Sequence, residues 1–234
     1  MSPPKLTPEE IVQFHKNGYF VLEQVTTLED IERIRELLDG LYDRFDELDE
    51  KLVFDLGDLK YHDGTQKTPQ INAATRFEPR LKETLAFKNT GEVAKQLLGK
   101  EARFRFDHSI YKPPKNEKEV PWHQDLAYGG NQDRGSWNVA FWLSLQDVAV
   151  ETGCMQFIPH SHLGNLKFHH PIDNDPKIHT LITDGVDSGQ AVACPISAGS
   201  ATIHLPKTLH YTGPNMTDMP RRAWILNYSV PLNP

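Results

Sequence analysis

Two histidines and one aspartate are the residues of this sequence whose types and spacing best suit chemistry. His123 and Asp125 are two positions apart, so in an extended strand their side chains point to the same side. His210 lies further along the chain, at a predicted junction between a strand and a loop. Two imidazoles and one carboxylate form the facial triad of non-haem iron oxygenases, which leaves adjacent coordination positions open. Zinc is the main chemical competitor for the same ligands.

Arg221 decides between these two metals. It follows His210 by eleven positions, and its planar guanidinium suits the distal carboxylate of a dicarboxylate that chelates iron through a keto-acid end. Thr212 can add a hydroxyl to the same carboxylate. The alternative for Arg221 is a solvated cation at the start of a strand. Because three candidate metal ligands accompany it, we favour the role in binding a dicarboxylate cosubstrate.

Capping residues predict helices in the N-terminal region. Thr7 and Glu10 form a capping box, and Gly18 ends the helix that follows. Residues 19 to 25 predict a strand, and Thr27 caps a second, longer amphipathic helix.

The next segments are predicted less uniformly. Residues 48 to 76 are mixed and polar, which predicts a loop or irregular cover. Residues 92 to 98 predict a helix that Gly99 closes. Residues 102 to 112 alternate in a way that predicts a strand with Phe104, Phe106, His108 and Ile110 on one face.

Short β-type segments separated by glycine, proline and asparagine dominate the rest of the chain, at residues 139–145, 155–158, 191–195, 200–205 and 223–230. This pattern predicts a mainly β fold with flanking helices, built as a sandwich, barrel or jelly roll. We expect a single domain over residues 1–234, with a mostly helical N-terminal cover to residue 100 and a jelly-roll core from residue 101 that holds the metal site.

Composition excludes several classes of partner. The net charge is −7 and the basic residues are scattered, which disfavours nucleic acid. No stretch is apolar enough to cross a membrane, and the N-terminus does not resemble a signal peptide. With only Cys154 and Cys194 present, we expect a reducing, cytoplasmic setting, the alternative being one bridge between them. The sequence does not predict the oligomeric state.

Several separated motifs together make the chain resemble the phytanoyl-CoA dioxygenase family of 2-oxoglutarate oxygenases, over nearly its whole length. The strongest are Lys112-Pro113-Pro114, Pro121-Trp122-His123-Gln124-Asp125, the run from Thr152 to Pro159, the run from Thr208 to Asn215, and Arg221-Arg222-Ala223. One departure is His160, in Pro159-His160-Ser161-His162, where the family commonly has glycine.

The resemblance implies a double-stranded β-helix with Fe(II) held by His123, Asp125 and His210. It also implies that Arg221 binds 2-oxoglutarate with help from Thr212. Trp142 matches a family tryptophan that lines the cosubstrate pocket, and ordinary core packing is the alternative.

Two further histidines need separate treatment. His108 matches a position where the family often places a polar residue towards the cosubstrate, and a satisfied core histidine is the alternative. His204 could be mistaken for the third ligand. Only His210, however, is followed by the Gly-Pro-Asn turn and lies at the matching distance from Arg221.

The chemistry implied by the resemblance is oxidation with O2. Decarboxylation of 2-oxoglutarate to succinate and CO2 accompanies oxidation of a substrate C–H bond, with hydroxylation as the default outcome. Halogenation is disfavoured because related halogenases lack the carboxylate ligand, whereas Asp125 is present here. Two other classes remain open: a cupin-like metalloenzyme, such as a zinc hydrolase or isomerase acting without cosubstrate, and a metal-dependent binding or sensing protein.

Substrate selectivity is expected in the irregular segments over the mouth of the barrel, at residues 53–75, 127–137 and 163–189. The paired glycines 129 and 130 suit a mobile lid, and a simple hairpin turn is the alternative. No segment resembles a coenzyme A phosphate site, so a small-molecule metabolite is favoured over an acyl-CoA.

Overall fold

A computed structural model describes residues 1–56, 68–129, 136–175 and 179–231, with the side chains of residues 136, 137 and 231 left aside. In this part of the chain, two antiparallel sheets face each other and helices cover the outer face of the larger sheet. This arrangement confirms the predicted mainly β, jelly-roll architecture with flanking helices.

The first two helices begin where their capping residues predict. Helix α1 (Pro8–Asn17) has the Thr7 capping box and ends at Gly18, which has a φ of 82°. Thr27 caps α2 (Leu28–Tyr42) by accepting a hydrogen bond from the backbone of Asp30. The remaining helices are α3 (Ala74–Phe77) and α4 (Leu85–Leu98).

Helix α4 starts seven residues before the predicted position, because Thr84 is its N-cap and its hydroxyl accepts from the backbone of Phe87. Asp30 of α2 extends this cap by accepting hydrogen bonds from the backbone of Leu85 and Ala86. The aspartate is distant in sequence, so the local pattern did not indicate the earlier start.

The major sheet has seven strands in the order β1-β11-β6-β13-β4-β3-β2. Their bounds are β1 (Tyr19–Leu22), β2 (Val53–Asp55), β3 (Pro69–Asn72), β4 (Arg103–Lys112), β6 (Ser136–Ser144), β11 (Ala201–His204) and β13 (Arg221–Pro231). Its outer face packs on α1, α2 and α4 through residues such as Phe141, Trp224 and Leu226. The N-terminal region thus covers the sheet and also contributes three of its strands.

The minor sheet has the order β10-β7-β12-β5. Its strands are β5 (Val120–His123), β7 (Met155–Phe157), β10 (Val192–Cys194) and β12 (His210–Thr212), and a separate hairpin joins β8 (His170–Pro171) to β9 (Leu181–Ile182). The inner faces of the two sheets meet in an apolar cluster that includes Trp142, Met155 and Phe157. This cluster fills the space between the two sheets beside the polar site described below.

Residues 48–76 contain more regular structure than predicted. Strands β2 and β3 pair with each other, and β3 pairs with β4 at the edge of the major sheet. Gln70 and Asn72 of β3 line a cavity, so the strand lacks the apolar alternation that sequence analysis depends on.

A bulge in β4 corrects the predicted face of that strand. The register with β13 shifts between Asn227, opposite Phe106, and Tyr228, opposite Phe104. As a result Phe104 packs on the helix side, while Phe106, His108 and Ile110 line the cavity between the sheets. An extra residue on one strand reverses the alternation beyond it, which period-two reasoning cannot anticipate.

Two glycines hold the loops that carry the site. Gly153 has a φ of 79°, and a Cβ on it would lie 2.4 Å from the carbonyl oxygen of Gly213. A Cβ on Gly18 would lie 2.2 Å from the imidazole of His162, and the Gly18 carbonyl accepts a hydrogen bond from Thr208. Only glycine permits these close approaches.

The turn at His160 keeps the left-handed conformation in which glycine is favoured, with a φ of 64°. The His160 backbone N–H donates to the carbonyl of Asn17, and its Nδ1 lies 2.8 Å from the carbonyl oxygen of Lys16. The bulky imidazole therefore docks on the end of α1 and preserves the turn.

Cys154 and Cys194 are both free and buried. None of the described helices is long and apolar enough to span a membrane.

Candidate metal and cosubstrate site

His123, Asp125 and His210 converge because two neighbouring strands of the minor sheet carry them. His123 ends β5 and lies directly opposite His210, the first residue of β12. Asp125 begins the turn that follows β5. One ligand atom from each residue falls within 4.8 Å of the others, and no other such group occurs in the described ranges. Oδ1 of Asp125 is 3.5 Å from Nε2 of His123 and 3.3 Å from Nε2 of His210.

Backbone carbonyls orient both imidazoles. Nδ1 of His123 lies 2.7 Å from the carbonyl oxygen of Pro121, and Nδ1 of His210 lies 2.9 Å from that of Thr208. A carbonyl can only accept, so Nδ1 carries the proton and Nε2 presents its lone pair to the centre of the group. Two imidazole nitrogens and one carboxylate oxygen on one side of a metal position suit a divalent transition metal. They leave its remaining coordination positions free for other ligands.

The charge states also suit a metal. Burial, together with the neighbouring His210, lowers the pKa of His123, which keeps this imidazole neutral at neutral pH. Burial alone would raise the pKa of Asp125, but the surrounding imidazoles outweigh it and hold this pKa well below its usual range. The group therefore presents neutral nitrogen and an ionised carboxylate without any further rearrangement.

His204 is not placed as a third imidazole ligand but lies behind Asp125. Its Nε2 is 3.1 Å from Oδ2, the carboxylate oxygen that faces away from the other two imidazoles. The side chain is 2% exposed. This contact holds the carboxylate so that Oδ1 faces the metal position, and the motif at residue 210 gave no sign of it.

Gln124, between two of the candidate ligands, is fully buried and braces the turn. Its side chain donates to the carbonyl of Lys207 and accepts from the backbone of Lys167, while its backbone N–H donates to His169. The turn that carries Asp125 is thereby tied to the segment before His210.

A second group of polar side chains lies deeper, between the sheets. Arg221 opens β13 and is fully buried. Within the described part of the chain its three guanidinium nitrogens have no hydrogen-bond partner, and its Cζ lies 5.3 Å from the ring centre of Trp142. Burial lowers its pKa to about 10, so it remains a cation at neutral pH. A buried cation without a counter-charge is costly and indicates a site for an anion.

Lys112 stands directly opposite Arg221 in the neighbouring strand and is also fully buried. Its Nζ lies 3.2 Å from Oγ1 of Thr212 and 2.6 Å from the carbonyl oxygen of Gly213. Burial, and then the nearby Arg221, lower the pKa of Lys112 well below its usual value. An anion beside Lys112 and Arg221 would offset both the burial of their charges and the repulsion between them.

The spacing between the two groups matches a short dicarboxylate. Thr212 lies two residues after His210 in β12, which corresponds to about 7 Å along a strand. A five-carbon keto-diacid spans a comparable length, with one end at the metal position and the other beside the two cations. Sequence analysis named Arg221 and Thr212 but missed Lys112, although alternation from His108 and Ile110 places this lysine on the same inner face.

An open cavity of about 250 Å³ leads to the metal group. His123 and Asp125 line it, as does His108, whereas Arg221, Thr212 and Trp142 lie outside its lining. The three segments expected to shape substrate selectivity all contribute to its wall, through Leu56, Gln70, Asn72, Tyr128, His179 and Thr180. Residues 57–67, 130–135 and 176–178, which include part of the predicted lid, lie outside the described residues.

The sequence matches the phytanoyl-CoA dioxygenase (PhyH) family over residues 14–223. A phytanoyl-CoA dioxygenase of Arabidopsis thaliana is 23% identical, with 95% of this chain and 88% of the relative covered. A probable alpha-ketoglutarate-dependent hypophosphite dioxygenase of Stutzerimonas stutzeri is 25% identical over 59% of this chain, and the match spans 49% of that relative's own length.

Solved structures give the same result. EvdO2 from Micromonospora carbonacea var. aurantiaca, complexed with 2-oxoglutarate, is 31% identical with a TM-score of 0.80, covering 97% of this chain and 92% of its own. The carbocyclase SnoK from nogalamycin biosynthesis is 20% identical with a TM-score of 0.75, covering 98% of this chain and 87% of its own, and this supports the double-stranded β-helix fold alone. The chain therefore belongs to the phytanoyl-CoA dioxygenase family of enzymes, oxygenases that depend on iron and 2-oxoglutarate.

Proposed function

We propose that this enzyme hydroxylates a C–H bond of a small-molecule metabolite, with Fe(II) held by His123, Asp125 and His210. Iron, 2-oxoglutarate and O2 supply the oxidising chemistry. One oxygen atom enters the substrate as a hydroxyl group, and the other enters succinate as CO2 leaves. The observation that carries the proposal is a preformed triad together with a buried arginine whose guanidinium has no hydrogen-bond partner among the described residues.

Three residues are proposed to bind the distal carboxylate of 2-oxoglutarate. Arg221 offers a fork of donors, Lys112 a second cation, and Thr212 a hydroxyl already within 3.2 Å of the Lys112 ammonium. Trp142 lies against the guanidinium and restricts its orientation. Together these groups hold the cosubstrate in one orientation, with its keto-acid end towards the metal.

His108 is proposed to lie at the boundary between cosubstrate and substrate. Its imidazole lines the open cavity beside His123 and Asp125, and its Nδ1 has no partner within the described ranges. Burial lowers its pKa to about 4, so it is neutral and can donate one hydrogen bond and accept another.

The chain is proposed to act as a single domain over residues 1–234. The N-terminal helices and the metal-bearing strands pack on one shared sheet, which supports this assignment.

A metalloenzyme acting without cosubstrate is the alternative, and the deeper group argues against it. Such an enzyme needs the triad but has no use for two buried cations beside it. The burial of Arg221 is the stronger evidence, because its guanidinium has no hydrogen-bond partner in the described residues, whereas Lys112 donates to Thr212 and Gly213.

An anaerobic absorption titration tests the proposal without knowledge of the substrate. Fe(II) and then 2-oxoglutarate are added to the metal-free protein, and a visible charge-transfer band should appear only after both. In Arg221→Ala the band should require a higher concentration of 2-oxoglutarate. Arg222→Gln is the matched control, because Arg222 is the adjacent residue but pairs with Asp39 on the helix side. Bound metal without a band would contradict the proposal and favour the alternative.

A further inference from the structure

The open cavity is lined by several carboxamide side chains that are not among the proposed metal or cosubstrate ligands. Gln70 and Asn72 come from β3 and Asn227 from β13, and all three line the cavity. We call these three residues the amide patch. Asn72 lies directly opposite His108 in the neighbouring strand, and Asn227 is placed diagonally from His108 on its other side.

Two residues of the amide patch are hydrogen-bonded to each other, whereas the amide nitrogen of the third has no partner in the described ranges. Nε2 of Gln70 donates to Oδ1 of Asn72 over 2.7 Å, which orients both amides. Nδ2 of Asn227 is buried and has no hydrogen-bond partner in the described ranges. An unpaired buried donor costs roughly 1–3 kcal/mol, and Asn227 lines the open cavity, so a ligand oxygen that enters beside it could offset this cost.

The charge of the cavity restricts what that ligand is. Among the described residues that line the cavity, Arg105 is the only lysine or arginine, and it is exposed. Asp125 is the only carboxylate of the described lining and belongs to the metal group. This part of the wall therefore favours an uncharged ligand, because a buried charge requires a partner of opposite sign.

Aromatic rings add a second surface to the cavity. The rings of Tyr128 and His179 are 5.5 Å apart, and Phe54 stacks on His179 at 4.6 Å. The Tyr128 ring also meets His123 edge-on at 5.8 Å, which brings this surface close to the metal position. Flat rings favour contact with the C–H face of a saturated ring, while the amide patch offers donors and acceptors to groups around its edge.

On the basis of the proposed function, we infer that the substrate presents a neutral, polyhydroxylated saturated ring, such as a sugar or cyclitol, to the amide patch. A hydroxyl group both donates and accepts, as a carboxamide does, so adjacent hydroxyls pair with the patch without leaving either side unsatisfied. An aliphatic acyl chain would leave Asn227 unpaired and bury the amides at a cost.

Binding to the metal-free protein tests this inference separately from catalysis. The probes are methyl α-D-glucopyranoside, methyl α-L-rhamnopyranoside and myo-inositol, with octanoyl-CoA and N-acetylalanine amide as contrasts. Saturation-transfer NMR should detect at least one of the three polyols. Asn227→Leu should weaken its binding about tenfold, as expected for one lost hydrogen bond in a buried site. Gln13→Leu, the same change on an exposed face of α1, should leave binding unchanged.

Failure of this inference and failure of the proposed function are distinguishable. If the Fe(II) and 2-oxoglutarate band forms but none of the three polyols binds, the substrate class is wrong and the oxygenase assignment stands. Equal polyol binding by wild type and Asn227→Leu, or binding of octanoyl-CoA alone, also overturns the inference. Polyol binding without the band leaves the patch intact and removes the proposed function. The band in Asn227→Leu shows that this variant folds.

Discussion

The two ends of the site differ in how complete they are without a ligand. The metal end comprises His123, Asp125 and His210, and protein contacts orient all three: Nδ1 of each imidazole donates to a backbone carbonyl, and Oδ2 of Asp125 accepts from Nε2 of His204. At the cosubstrate end, the guanidinium of Arg221 is buried with no hydrogen-bond partner in the described residues. The metal end is organised by the fold, whereas the cosubstrate end is left for a ligand to complete.

This difference suggests a division of labour. A metal needs ligands already in position, and backbone carbonyls supply that order at little entropic cost. A cosubstrate that is consumed must bind and leave in every cycle. An anion site whose cations are not neutralised by the protein binds its anion strongly and has no internal competitor for it.

Of the changes that test this difference between the two ends, removing the carboxylate of Asp125 should have the largest effect. Asp125→Ala deletes one metal ligand and the acceptor of the His204 contact. We expect Fe(II) affinity and succinate formation to fall by more than about 100-fold, beyond the usual loss from a residue behind a ligand. Metal titration and a succinate assay measure this, with the exposed Asp184→Ala as control. Near-normal succinate formation in Asp125→Ala would exclude the triad.

Removing the guanidinium of Arg221 should weaken binding of 2-oxoglutarate at the cosubstrate end without changing the metal end. In Arg221→Ala we expect the half-saturating concentration of 2-oxoglutarate to rise about 100-fold, since a buried charge-assisted pair contributes roughly 2–5 kcal/mol to binding. Fe(II) affinity should stay within about twofold of wild type.

The thermal midpoint separates this effect from simple destabilisation. Arg221→Ala should lose the stabilisation that 2-oxoglutarate confers, without a lower midpoint in its absence, because an uncompensated charge is removed. Arg222→Gln should show the reverse pattern, a lower midpoint with unchanged 2-oxoglutarate affinity, because it loses the Asp39 pair. If Arg221→Ala and Arg222→Gln changed the midpoint and the 2-oxoglutarate affinity in the same way, Arg221 would have no specific role in binding the cosubstrate.

His204 sharpens the comparison within the metal end. His204→Phe removes the hydrogen bond to Oδ2 of Asp125 while keeping a ring in place. We expect metal affinity to fall by about tenfold, the lower end of the usual range for a residue that orients a ligand. The charge-transfer band should shift, since the carboxylate geometry changes, and the response to 2-oxoglutarate concentration should not. An unshifted band with normal affinity would leave His204 a packing residue.

For His108, at the boundary between the two ends, the testable effect is on the pH dependence of stability rather than on binding. Burial depresses the pKa of His108 to about 4, below the value of about 6.5 in an unfolded chain. Below pH 6.5 the unfolded state binds more protons, so stability of the metal-free protein is lost as pH falls towards 4. This loss is at most about 1.4 kcal/mol per pH unit for one histidine. Urea unfolding of wild type and His108→Gln between pH 7 and 5 should show a shallower slope in the variant.

The triad was predictable from the sequence because each of its motifs is short and chemically specific, and the same reasoning proposed Arg221 for the cosubstrate. The starts of α1 and α2 were also predictable from their capping residues, for which the deciding hydrogen bonds lie within one turn. Strands β2 and β3 were not predicted, and in β3 the cavity-facing side chains of Gln70 and Asn72 are polar. Phe104 was assigned to the wrong face because a bulge reverses the alternation.

The residues missed at the site share one property. Lys112 matters because it stands across a strand pair from Arg221, and His204 because it reaches Asp125 from a different sheet. Alternation along β4 places Lys112 on the inner face, but neither contact joins neighbours in sequence, so spacing alone does not indicate the partner.

The sequence by itself determined the reaction family, the candidate ligands and the overall β architecture, because ligand types, caps and strand alternation depend on residues close together in the chain. Only the tertiary structure decided which groups are left unpaired. Whether a buried cation or amide has a partner depends on strands that meet from distant parts of the chain. The donors of Arg221 and Asn227 have no partner among the residues that the structure describes, and they mark the proposed places of cosubstrate and substrate; for this reason they are properties of the folded protein.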